Sequence, residues 1–368
     1  MFQKILFLVL SILFLLCFGT YFFYGNQWIQ QTYQNKPPFF LNWIIEVFYP
    51  RFWTEKHRFS VDFFINKANQ VIVRLFLVIV LCFSSWTIWQ YNFYQIPSKI
   101  KKYFNATIQK QLTNFLVIWF SLLMLYVAHD WLFIFQKLSQ WKDFYQPVFL
   151  LKIFGKNFPP FWILSVLWSS WLTSTLFLLF FKSYRIITST ISATIFIFLQ
   201  GFLYSFHKID HPFVLLNYCL LLLPFLLYEH KKTNLSDKLQ KSWALKIMQL
   251  SMVSAYFLAG IEKILIGGIT WLEPNNIRNH ILNHQTLFGL SIVNSDFICV
   301  ILGILGILFE ILFPLIVFFK DLRYFFLGIG AIFHLANFFI LGVGAVFHPW
   351  ILLYVIWFEE IGLNNKKA

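Results

Sequence analysis

Charge is what this 368-residue sequence has least of. Only 12% of its residues are Asp, Glu, Lys or Arg, about half the share in a soluble globular domain. That shortage excludes a fold whose whole surface faces water. Paired cysteines are missing too. Cys17, Cys82, Cys219 and Cys299 all lie in apolar stretches and form no CxxC pair, which excludes a disulfide framework and a cysteine zinc ribbon and leaves the redox compartment unread. No phosphate-binding glycine loop, nucleophile elbow or HExxH helix occurs, so the common nucleotide, serine-hydrolase and zinc-protease chemistries have no anchor. The net charge of +14 does not point to nucleic acid. The basic residues sit in short loops between apolar runs, a pattern of membrane topology and contact with anionic lipid.

Long apolar runs are what is present. The chain is 59% hydrophobic, with 49 phenylalanines and a mean hydropathy of +0.68. About 20 apolar residues cross a bilayer. That length predicts an all-α, polytopic transmembrane bundle of about ten helices, at 3–24, 71–93, 112–135, 161–181, 186–206, 212–228, 245–266, 297–318, 324–343 and 349–361, the last short and either tilted or partly re-entrant. Residues 2–24 share an early lysine with signal peptides, but no small-residue cleavage site follows and the run is long enough to span. The segment 271–293, "WLEPNNIRNHILNHQTLFGLSIV", is too polar to span and reads as interfacial or re-entrant. Loops rich in Lys and Arg, such as "PSKIKKYFNATIQKQ" and "EHKKTNLSDKLQK", orient the N- and C-termini to the cytoplasm.

Ionisable residues inside such helices are costly and mark function by default. Lys263 has Ala259, Gly260 and Gly267 at helical spacing, small residues that let a helix or ligand approach the amine. A lysine held away from water loses its proton more readily, as a general base must; the bland alternative is a snorkelling anchor. His334 lies mid-helix with Gly330, Ala331 and Asn337 on its face, suited to a pocket or to an interhelical hydrogen bond. Glu310 lies near the middle of the preceding helix, which makes a Glu310–His334 contact the expected pairing. "FHKIDHPF" carries His207 and His211 four apart, a metal-type spacing that Pro212 interrupts; no metal site is assigned. His129–Asp130 ends another helix, and His280 and His284 read as solvated. With the N-terminus inside, His211 and Lys263 end neighbouring antiparallel helices at the outer face.

Four stretches, in order, are similar to the vitamin K-dependent γ-glutamyl carboxylase superfamily, also called the horizontally transferred transmembrane domain family. "YFLAGIEKI" (256–264) resembles its A-G-x-x-K element, which a tryptophan follows, here Trp271. "YQPVFLLKIFGKNFPPFWIL" (145–164), "IDHPFVLLNY" (209–218) and "FHLANFFILGVGAVFHPWILL" (333–353) resemble its other elements. The resemblance covers about 111–361, with departures: Glu262 precedes the lysine, and the histidine element reads I-D-H-P.

The resemblance implies Lys263 as the base that deprotonates a reduced quinone of the vitamin K hydroquinone type, with O2 and CO2 as co-reactants. It implies His211 as the partner of Lys263 and His334 as a pocket residue; Asn337, Glu310, Gly260, Trp271 and Asp130 are the further candidates for the pocket. The expected domains are a two-helix extension (1–105), the carboxylase-like domain (106–361) and a cytoplasmic tail (362–368). The expected function is a bacterial inner-membrane enzyme, carboxylase-like, that modifies a peptide or lipid-linked substrate at an outer-facing cavity. The alternative is a non-catalytic maturation factor for an exported peptide or toxin. The lipid bilayer and a secreted peptide or protein are the expected partners.

Overall fold

A computed structural model describes residues 2–48, 52–69, 71–73, 76, 107–206, 213–232, 239–241 and 243–358. Nearly all of the helix expected at 71–93, the stretch carrying His207, Asp210 and His211, and the tail 362–368 lie outside the described residues. The chain divides into two compact units, residues 1–96 with 142–158, and residues 97–141 with 159–368. Among the described residues, eight helical stretches are long and apolar enough to cross a membrane. The protein is an all-α, multi-pass membrane protein.

In the first unit, α1 (Phe2–Tyr33) and α2 (Phe39–Phe48) are helices with few buried side chains. Ile45, Phe52 and Phe64 form a small buried cluster. Lys56 is buried beside it, donating to the Tyr33 carbonyl at 3.1 Å and lying 5.3 Å from the Trp53 ring.

The second unit is a helical bundle. It contains α3 (Lys110–Ala128), α4 (Trp131–Leu138), α5 (Phe161–Phe180), α6 (Arg185–Tyr204), α7 (Val214–Lys232) and α8 (Trp243–Gly267). After these come α9 (Pro274–His284), α10 (Leu287–Ile292), α11 (Asp296–Leu312) and α12 (Lys320–Leu341). A bilayer offers no water to spare backbone or hydroxyl groups, so polar side chains pair inside the bundle. The Thr175 and Ser192 hydroxyls meet at 2.6 Å between α5 and α6. Trp168 donates to the Ala128 carbonyl at 3.0 Å, tying the start of α5 to the end of α3. Arg185 donates to Asn114 Oδ1 at 2.6 Å, tying the start of α6 to the start of α3. Two three-residue strands, β1 (Thr107–Gln109) and β2 (Leu239–Lys241), pair antiparallel and bring the N-termini of α3 and α8 together.

The polar segment after α8 forms short elements. A 3₁₀ turn (Gly268–Leu272) leads to α9, whose buried face, Ile277 and Ile281, packs on Val293 and Cys299. Thr286 accepts from the Gly289 N–H at the start of α10 and donates to the Ile340 carbonyl at 2.7 Å. Neither α9 (11 residues) nor α10 (6 residues) is long enough to span.

Of the tenth expected helix, 349–361, the described residues 349–358 form no continuous span. Pro349–Leu352 is one helical turn and Leu353–Trp357 a 3₁₀ turn. Its side chains are apolar because they fill the bundle: Leu353 through Trp357 are all buried. Polar side chains of neighbouring helices satisfy its backbone. Trp119 donates to the Leu352 carbonyl and Gln249 to the Ile356 carbonyl, both at 2.7 Å.

Candidate functional site

The site grows from one face of α8. Tyr256 and Lys263 are seven residues apart, two helical turns, and so share a face about 10 Å apart along the axis. Gly260 lies between them. A Cβ there would meet Ile311 Cγ1 at 2.9 Å and Glu310 Cβ at 3.0 Å, so α8 and α11 approach at a distance only glycine allows. That approach sets Glu310 opposite Lys263. The ammonium contacts both carboxylate oxygens, with the Glu310 side chain buried and that of Lys263 24% exposed. Trp271 covers the pair, its ring centroid 5.6 Å from Lys263 Nζ, within cation–π range. The indole folds back against Gly267, where any side chain would collide with it.

The pairing corrects the sequence expectation. Glu310 engages Lys263 on α8, whereas His334 on α12 bonds Tyr256, its Nε2 2.6 Å from the phenol oxygen. The same oxygen lies 2.7 Å from the Tyr354 hydroxyl. One tyrosine hydroxyl carries one proton, so the chain Tyr354–Tyr256–His334 is polarised in one direction or the other and reverses when protons hop. His348 stacks on His334, ring centroids 4.7 Å apart and planes within 13°. Its Nδ1 accepts from the Trp350 N–H at 3.3 Å, and burial lowers this imidazole to about 4. Phe309, Phe313 and Trp350 wall in Tyr256. Gly330 admits the Tyr354 hydroxyl, which a side chain at that position would displace.

Of the residues singled out in the sequence, Lys263, Glu310, Gly260 and Trp271 come together, and His334 belongs to the adjoining tyrosine–histidine cluster. Asn337 lies one turn along α12 from His334, half-buried, its carbonyl accepting from the Val343 N–H at 3.0 Å where left-handed Gly342 ends the helix. Asp130 is exposed at the start of α4, which packs on α5, so the contacts do not bring it to Lys263. His129 is exposed and bonds the Tyr126 carbonyl at 2.8 Å; His280 and His284 are exposed. His211 lies outside the described residues. Sequence reasoning missed Tyr256, His348 and Tyr354. The seven-residue spacing of Tyr256 from Lys263 was the available signal for the first, whereas Tyr354 sits in the stretch 349–361, read only as a short apolar helix, and His348 just before it.

Every residue of the constellation, from Tyr256 to Tyr354, falls within the stretch matched by a known family, the HTTM domain, at residues 228–360. Comparisons with curated proteins and with solved structures each gave no match. Over residues 228–360 this multi-pass membrane protein is thus similar to the HTTM domain.

Proposed function

We propose that this chain is a bacterial inner-membrane enzyme of carboxylase-like chemistry in which Lys263 takes a proton from a membrane-soluble substrate. The observation that carries the reading is the Lys263–Glu310 pair under Trp271. As found, Lys263 is an ammonium beside a carboxylate. Passing its proton to Glu310 yields a neutral amine and a carboxylic acid. Glu310 is then the proton store and Lys263 the base. Trp271 supplies an aromatic plane, and Lys263 keeps part of its surface open beside it, features that fit a flat phenolic ring. A reduced quinone, the cofactor class the family resemblance implies, supplies such a ring with an acidic hydroxyl when bound. Tyr256 and His334 give protons a second stop on the same face of α8. The positive-inside rule sets Lys263 toward the outer leaflet, since the opposite end of α8 carries the basic loops.

The second reading, a non-catalytic maturation factor for an exported peptide, draws on the closure of the same pair: both carboxylate oxygens are engaged and the indole covers them. One assay separates the two. The full chain in proteoliposomes is given a reduced quinone, O2, labelled bicarbonate and a glutamate-rich peptide, and label fixed in the peptide is counted. A base of this kind contributes about 10²–10⁴-fold, so Lys263→Ala and Lys263→Arg both lose label by that factor, arginine being unable to deprotonate. Label fixed equally well by Lys263→Arg would overturn the base role. A wild-type chain that fixes none, yet is required for export of its peptide, establishes the second reading.

A further inference from the structure

At the far end of the bundle from Lys263, four helix ends meet: the starts of α3 and α6 and the ends of α5 and α7. Between them lies a cavity of about 360 Å³ whose polar lining is Asn114, Lys182, Ser183, Arg185, His230 and Lys231. Among the described residues, no carboxylate lines it. The acid nearest in sequence, Glu229, accepts from the backbone N–H groups of Trp243 and Ala244 at the start of α8.

Arg185 is the built part of this cavity. It is 93% buried by side-chain packing (7% exposed), and its Nε donates to the Leu178 carbonyl at 3.2 Å while Nη1 donates to Asn114. These two bonds lock the guanidinium plane. Lys182 and Lys231 are exposed at the rim with Ser183. A fixed guanidinium, two exposed ammonium groups and a hydroxyl match the oxygens of a phosphate, which takes charge-assisted bonds from several donors at once.

The depth of the cavity says where such a phosphate comes from. Tyr184, Tyr228 and Trp243 are exposed and adjoin these helix ends, and Phe180 and Phe181 are exposed beside them. Amphipathic aromatics mark headgroup depth in membrane proteins, and basic pockets between spanning helices at that depth receive anionic headgroups. We infer that this cavity is a binding site for the phosphate of an anionic phospholipid, clamped by Arg185, Lys182 and Lys231.

The test uses the purified full chain, stripped of lipid in mild detergent and offered short-chain phosphatidylglycerol, phosphatidylcholine or inorganic phosphate. Native mass spectrometry counts the molecules bound. The expected result is retention of phosphatidylglycerol over phosphatidylcholine, weakened roughly fivefold for each lysine removed in Lys182→Gln and Lys231→Gln. Lys137→Gln, an exposed cation beyond the other end of α3, leaves retention unchanged. An unchanged melting temperature in the Lys182→Gln/Lys231→Gln double variant separates lost binding from lost folding. Displacement of the lipid by millimolar inorganic phosphate would keep the phosphate chemistry and reassign its source to a soluble ligand. Equal retention of the two lipids, or full retention by the double variant, overturns the site.

Discussion

Glu310 can be removed in two ways, and they differ in what they leave behind. Glu310→Leu strands the Lys263 ammonium against α11, whereas Lys263→Met with Glu310→Leu strands nothing. Breaking a fully buried pair costs about 3–5 kcal/mol; Lys263 keeps 24% of its side chain exposed, so the single variant falls below that range. The double variant is expected to melt above the single one in detergent, and the reverse order would contradict a paired charge. His348 offers a second residue-scale outcome. Burial lowers it from 6.5 to about 4, so between those values the unfolded chain holds the proton and the native chain does not. Stability from this group is complete above about 6.5 and falls as pH drops toward 4. Melting temperatures across that window check it, with His348→Asn giving a flatter slope. The sequence exposed Lys263 and Glu310 as expensive groups in apolar helices but not their pairing. Adjacency along the chain favoured His334, whereas the close approach of α8 and α11 at Gly260 decided otherwise, and such an approach is a property of two packed surfaces.

Packing at Gly260 is also the element-scale control on the site. Gly260→Ala sets a methyl about 3 Å from Ile311 and Glu310, and overpacking of this kind costs about 1–3 kcal/mol. Gly260→Leu is expected to separate the helices and lose function even with both charged residues intact, read out by the fixation assay with expression as the control. The spans were legible because apolar length alone identifies a helix in lipid: eight stretches expected to cross fall on the described spanning helices. Residues 349–361, short for a span, show where the same rule stops. "PWILLYVIW" is apolar enough for lipid, but it lies inside the bundle, held by Trp119 and Gln249. Hydropathy does not distinguish lipid from protein interior.

At the scale of the whole molecule, α8 joins the two ends. Its 25 residues measure about 37 Å against a hydrocarbon core of about 30 Å, and Lys263 stands about 30 Å along it from Trp243. The helix contains no proline, so it has no built-in kink to absorb that excess. With its start at headgroup depth, as the proposed lipid site has it, the thickness of the membrane sets whether the Lys263–Glu310 pair lies in hydrocarbon or in the hydrated interface. Hydrophobic mismatch thereby becomes a variable of the chemistry. Proteoliposomes of graded acyl-chain length should show fixation rising as longer chains bury the pair and falling as shorter chains wet it. A rate indifferent to chain length would place the working pair outside the influence of bilayer thickness. On the proposed function, the membrane acts as the part of the site's wall that the polypeptide does not encode.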